Sequence, residues 1–170
     1  MADFINTVDV LGDDVVTGSI INRTVTEYLD NYVTKIGKYA FCQCVNLSKV
    51  DCPNVSEISD YAFAYCSSLT SVSFPAATAI GNSAFYNCSS LTSVSFPAAT
   101  TIGYSAFAYC SSLTTVILAG SSVCSMSHSN VFTSTPIASG TGYIYVPSSL
   151  VASYQAATNW SYFSAQISAI

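Results

Sequence analysis

Apolar residues recur along this chain at a fixed spacing. Ile36, Ile58, Ile80 and Ile102 lie 22 residues apart, and Phe41, Phe63, Phe85 and Phe107 keep the same step. So do Cys44, Cys66, Cys88 and Cys110, then Leu47, Leu69, Leu91 and Leu113, then Val50, Val72, Val94 and Val116. Pro53, Pro75 and Pro97 follow until Ala119 breaks that series. The unit reads I-G-x-x-A-F-x-x-C-x-x-L-x-x-V-x-F-P, with Ser59 replacing the usual glycine once, and CSSLTSVSFPAAT stands letter for letter at 66–78 and 88–100. A fixed internal period is the mark of a stacked repeat architecture.

Within a unit the run S-V-S-F alternates polar and apolar, the period of a half-buried strand. Val and Phe are predicted to point inward and the serines outward. The proline after Phe ends strand pairing because it has no N–H to donate. The I-G-x-x-A-F-x-x-C stretch is too short for a long helix and predicts a tight turn, with Gly81 and Gly103 placed where unusual backbone angles are needed. The five apolar side chains of one unit do not offset the conformational entropy lost in ordering it. Stacked neighbours must supply the missing burial. The pattern therefore predicts an α/β or mostly β solenoid of short parallel strands with 22-residue rungs, Val72 and Val94 lying side by side on adjoining strands.

Solenoid ends expose apolar faces and need caps. Residues 1–35 read as an N-terminal cap made from a degenerate repeat, since Asn22, Val25, Tyr28, Val33 and Ile36 fall on the same grid. Residues 36–123 form four repeats. Residues 124–170 read as an irregular loop, a last strand at Tyr143–Pro147 and a short helical cap. In that cap Ser148 or Ser149 takes the N-cap place, with Leu150, Tyr154 and Trp160 turned inward.

Charge changes the picture in one respect. Only 8% of residues are charged and 51% are hydrophobic, and every Asp, Glu, Lys and Arg lies within the first 60 positions. A net charge of -5 with four cations argues against nucleic acid, because phosphate binding needs clustered Lys and Arg. Ser, Thr, Pro or Gly interrupt every apolar run, so no segment reads as a membrane-spanning helix. The opening MADFINTVDVLGDD has no basic region followed by an apolar one and does not read as a signal peptide.

The unit and its six recurring positions over four rungs resemble the BspA-type leucine-rich repeat of bacterial surface proteins. The stretch TPIASGTGYIYVPSSLVASYQAATNWS from Thr135 is similar to the C-terminal segment of such proteins in gut Firmicutes and their prophages. The resemblance implies a right-handed leucine-rich repeat superhelix and a role in interaction, with adhesion to host or matrix components its usual form. It implies a place at the cell surface or in a phage particle.

Candidate chemistry is sparse. The ladder cysteines are expected as reduced core thiols behaving as small hydrophobes, with disulfides between adjacent rungs or a metal as the alternatives. Cys42, Cys52 and Cys124 lie off the ladder. His128 is the sole candidate general base, and a Ser–His pair needs an orienting acid, whereas no carboxylate follows Asp60. The expectation is a non-enzymatic protein without cofactor or metal.

Two surfaces remain. Lys49/Asp51, Ser71/Ser73, Ser93/Ser95 and Thr115/Ile117 are predicted to line up as a narrow, mostly hydroxyl strip. Tyr39, Tyr61, Tyr65, Tyr86, Tyr104 and Tyr109 occupy variable turn positions, where tyrosine gives contact area at low entropic cost. These surfaces predict a binding or adhesion module for a neutral protein or glycan. The alternative is an assembly component, of a phage particle or envelope, self-associating through uncharged surface, which light scattering tests.

Overall fold

Stacking of the units produces two ladders of short strands joined by turns. The structure, a computed structural model, describes residues 25–170 together with the backbone of residues 10–11 and 15–16. Its strands are β1 (Val10–Leu11), β2 (Val15–Val16), β3 (Glu27–Leu29), β4 (Lys35–Ile36), β5 (Lys49–Asp51), β6 (Glu57–Ile58) and β7 (Ser71–Ser73). There follow β8 (Ala79–Ile80), β9 (Ser93–Ser95), β10 (Thr101–Ile102), β11 (Thr115–Ile117), β12 (Ser125–Met126), β13 (Tyr143–Val146) and, after a short helix α1 (Val151–Ala156), β14 (Ile167–Ala169).

One ladder runs β1-β2-β4-β6-β8-β10-β12. Every pairing in it is parallel except β1 with β2, and its register sets Ile36, Ile58, Ile80 and Ile102 side by side. The second ladder is in two pieces, β3-β5-β7 and β9-β11-β13-β14. In β3, β5, β7, β9 and β11 the central residue points in and its neighbours point out, as the S-V-S alternation requires.

The break between β7 and β9 departs from expectation. Val50 pairs with Val72 and Val94 with Val116, but Val72 and Val94 are not ladder partners. The Thr70 N–H reaches Ser48 O and the Thr114 N–H reaches Thr92 O, with no counterpart from Thr92 to Thr70. The next inward column, two residues further on, is unusual at the same junction. It reads Cys52, Phe74, Phe96, Leu118, so this is the one junction where two phenylalanines follow each other. Phe74 tilts onto Phe63 and Phe85 with centroids 5.7 and 6.5 Å away, and Phe96 onto Phe85 and Phe107 at 6.1 and 6.0 Å, so both rings pack into the core beside the opening.

The stack holds together across that opening by other means. β6, β8 and β10 remain paired. The turn segments add a third ladder, in which the N–H groups of Phe63 and Phe85 donate to Ala84 O and Ala106 O at 2.7 and 2.8 Å. Beneath it runs a column of stacked rings. Phe41, Phe63, Phe85, Phe107 and Phe132 lie nearly parallel, with centroids 5.0, 5.2, 5.4 and 5.9 Å apart. Those distances follow the strand spacing of about 4.8 Å, and offset stacks of this kind add about 0.5–1.5 kcal/mol per pair beyond burial. Tilted rings close the column, Tyr28 on Phe41 at one end and Trp160 and Phe163 on Phe132 at the other.

Three further expectations are corrected. Gly81 and Gly103 do not hold positive φ; a Cβ there would stand 2.6 Å from the backbone of the preceding rung, so the requirement is close approach. The left-handed positions are instead Tyr39, Tyr61, Ser83 and Ser105, and Gln43, Tyr65, Asn87 and Tyr109. Residues 124–142, read as an irregular loop, supply β12, which pairs with β10, and a 3-10 turn at Ser129–Phe132. Neither Ser148 nor Ser149 caps α1: both lie in a 3-10 turn, and Leu150 holds the N-cap place without a side-chain bond. Tyr154 and Trp160 are buried there, and Leu150 is half-buried.

Of the expected N-terminal cap, Asn22 and most residues up to 24 lie outside the described residues. From residue 25 onward that stretch makes a rung, with β3 parallel to β5 and Val25, Tyr28 and Val33 buried.

Candidate functional site

Hydroxyl groups divide into two populations. Those at the rung corners are occupied within the protein. Ser48, Thr70 and Thr114 Oγ donate to the carbonyls of Thr26, Ser48 and Thr92 one rung back, and Ser56, Thr78 and Thr100 do the same at a second corner. The hydroxyls of the strip are different. Ser71, Ser73, Ser93 and Ser95 are exposed, and none has a side-chain hydrogen bond among the described residues.

The register brings Lys49 beside Ser71 and Asp51 beside Ser73, then Ser93 beside Thr115 and Ser95 beside Ile117. The opening between β7 and β9 divides the strip at its middle. Sequence reasoning stopped the strip at β11, but β13 continues it. Tyr143 pairs with Thr115 and Tyr145 with Ile117, their rings 6.3 Å apart. The alternation in YIYV was the available signal.

The six turn tyrosines fall into three groups. Tyr39 stacks on Tyr61 with centroids 5.1 Å apart. Tyr86 contacts both Tyr65 and Tyr109, at 5.5 and 5.1 Å. Desolvation, then Tyr109 and Tyr65, pushes the Tyr86 hydroxyl pKa above its ordinary value. Tyr104 stands apart, its ring against His128 and its hydroxyl accepting a bond from Asn130 Nδ2 at 3.0 Å. Among these rings lies a groove of about 450 Å³ with Ser83, Ser105 and Ala108 in its lining.

A second groove, of about 530 Å³, lies along the outer side of the longer ladder. Sequence reasoning missed it. The glycine backbone at Gly81 and Gly103 lines it, and the ion pairs Lys35–Glu57 (2.8 Å) and Lys38–Asp60 (4.0 Å) involve residues at its more charged end.

The ladder cysteines have a structural role. Cys66, Cys88 and Cys110 Sγ donate to the carbonyls of Phe41, Phe63 and Phe85 at 3.0, 3.1 and 3.0 Å. Burial pushes the Cys66 and Cys88 thiols well up, and Cys52 and Cys124 up to about 12. A thiol so shifted stays protonated, which is the form that donates. Among the described residues no group of three His, Cys, Asp or Glu could hold a metal ion. His128 caps the 3-10 turn at Ser129–Phe132, its Nδ1 accepting the Asn130 N–H at 3.1 Å. It therefore acts on backbone, and among the described residues no carboxylate bonds to it.

Parallel three-residue strands, an inward leucine and valine on four successive rungs and a turn-side ring column define a leucine-rich-repeat solenoid. The chain belongs to the BspA-type leucine-rich repeat family, whose repeat region matches residues 24–150 in six copies. In fold the chain is similar to the pneumococcal vaccine antigen PcpA. That similarity is at 14% identity and a TM-score of 0.57, over 93% of this chain and 43% of that one. A leucine-rich repeat protein from Bacteroides ovatus aligns at 22% identity and a TM-score of 0.41, over 73% of this chain and 40% of that one. The chain spans less than half the length of either. A comparison with curated proteins gives no match. Family membership is consistent with a protein-binding or adhesion module, and repeats of this kind are typically non-enzymatic. Among the described residues no helix is long and apolar enough to cross a membrane.

Proposed function

We propose that this protein is a non-enzymatic recognition module that presents a neutral Ser/Thr/Tyr surface to a protein or glycan partner, displayed at a cell surface or on a particle. Residues 36–123 form the presenting array, and residues 1–35 and 124–170 its two caps. The contact surfaces are the strip from Lys49 and Asp51 to Thr115 and Ile117, and the turns that carry Tyr39, Tyr61, Tyr65, Tyr86, Tyr104 and Tyr109.

The observation that carries this reading is the division of the hydroxyls. Corner hydroxyls bond back to the preceding rung, whereas the exposed strip hydroxyls on β7 and β9 have no partner among the described residues. A free hydroxyl both donates and accepts, so it suits an uncharged polar partner. Charge placed on the strip should disrupt such contacts, because a carboxylate pressed against a neutral partner is desolvated without a counter-charge. Ser71→Glu combined with Ser93→Glu is expected to weaken retention on a glycan or mucin panel at least tenfold. Equal retention of the variant would remove the strip from the contact surface.

A further inference from the structure

The turn face carries a hollow that the repeat itself explains. One turn position reads Tyr39, Tyr61, Ser83 and Ser105 in successive rungs, and all four residues share a left-handed φ of 59°, 56°, 53° and 53°. Tyr39 and Tyr61 stack on one another. The next two places hold serine, so the ring column stops and leaves a space two rungs long. Tyr61 borders that space, Tyr104 lines it next to Ser105 in the chain, and Tyr65, Tyr86 and Tyr109 flank it from neighbouring columns.

Two features mark the hollow as a built site. Ser83 and Ser105 are only 6% and 9% exposed, their hydroxyls have no hydrogen-bond partner among the described residues, and both residues line the groove. Among the described residues no side-chain oxygen is buried without a partner, so what these two side chains expose is their hydroxyls, open to the groove. These two are left to a ligand or to water in the groove. The volume of about 450 Å³ falls in the range of small-molecule sites, about 300–1,000 Å³.

The lining selects the ligand. No charged residue contributes to it, so neither an anion nor a cation finds a counter-charge. Tyrosine faces offer flat apolar area to C–H groups, and the serines below offer hydroxyls that donate and accept together. A sugar ring presents both faces at once: apolar C–H patches and hydroxyls of both senses. An extended proline-rich peptide also docks on aromatic grooves, but it offers carbonyl acceptors alone to the serine floor.

We propose that this groove binds an uncharged sugar residue. The inference deepens the recognition-module reading and rests on it. The chain itself supplies a substitution to fill the site, since tyrosine is already accommodated at Tyr39 and Tyr61 with the same backbone angle. The test uses the full chain and saturation-transfer NMR, with neutral gluco-, galacto-, manno- and N-acetylhexosamine oligosaccharides and a decaproline peptide as probes. At least one sugar is expected to bind, and Ser83→Tyr with Ser105→Tyr should weaken it tenfold or more while circular dichroism stays unchanged. Should the double variant misfold, Tyr104→Ala, at an exposed ring, should weaken the same sugar.

Three results would overturn the inference: a sugar held equally by wild type and filled variant, decaproline bound in place of any sugar, or no probe bound. The strip variants on the same sugars separate the two ideas. Loss there without loss in the filled groove removes this site and leaves the module reading standing.

Discussion

Phe85→Ala should lower stability by about 3–5 kcal/mol, the cost of deleting a fully buried aromatic ring from a close-packed core. Phe85 is 0% exposed and stands mid-column, stacked on Phe63 and Phe107 and wedged by Phe74 and Phe96. Its loss therefore removes four ring contacts and opens a cavity beside the junction where β7 and β9 already share no ladder. In a solenoid, stability is close to a sum of rung and interface contributions, so a defect at this place should uncouple the two halves. Urea unfolding checks both points. The midpoint should drop, and fluorescence from Trp160, which reports the C-terminal end, should separate from far-UV circular dichroism, which reports the whole. Tyr65→Ala, at an exposed ring, should stay within about 1 kcal/mol of wild type.

The second large effect lies at the C-terminal cap. Trp160 is 1% exposed, lies 6.3 Å from Phe132, and its Nε1 donates to Cys124 O at 2.6 Å. The hydroxyl of Tyr154, edge-on to Trp160, accepts the Cys124 N–H at 2.9 Å. The two aromatics thus occupy both backbone groups of one residue, and Trp160 covers the last ring of the column. Trp160→Ala should cost about 3–5 kcal/mol through the cavity and leave a buried carbonyl unpaired, a further cost of about 1–3 kcal/mol. Hydrogen exchange should localise the loss. Protection should fall first at β12 and β13 and persist at β4 and β6. Uniform loss along the chain would contradict the capping role.

Much of this architecture is legible in the chain, because each rung repeats the same physical problem. The inward Ile, Phe, Cys, Leu and Val columns follow directly from the period, and so does the outward strip. What escaped notice has particular causes. The period stretches after Val123, where Thr101 pairs with Ser125 and Phe107 stacks on Phe132; a slightly longer turn hides a rung that is still in register. The opening at β7 and β9 falls where Phe96 follows Phe74 in one column, a juxtaposition of rungs that no single unit reveals. β14 has no repeat partner to announce it, as Ile167–Ala169 pairs with β13 after a helical excursion.

The candidate surfaces were harder to read, because composition alone does not separate occupied hydroxyls from free ones. Thr70 and Ser71 are neighbours, yet the hydroxyl of the first bonds to Ser48 O and the hydroxyl of the second has no partner among the described residues. The direction each side chain takes from its corner or strand decides that difference. Similarly, Ser83 and Ser105 look unremarkable among so many serines until alignment with Tyr39 and Tyr61 exposes two missing rings.

The account stands on the stacking of rungs in register, with each covering the apolar side of its predecessor. Nuclear Overhauser contacts in a methyl- and phenylalanine-labelled sample measure this most directly. The prediction is ring contacts from Phe63 to Phe85 and from Phe85 to Phe107, with methyl contacts joining Ile58 to Ile80 and Ile80 to Ile102. Contacts linking these residues at any other spacing, or none between them in the folded protein, would contradict it.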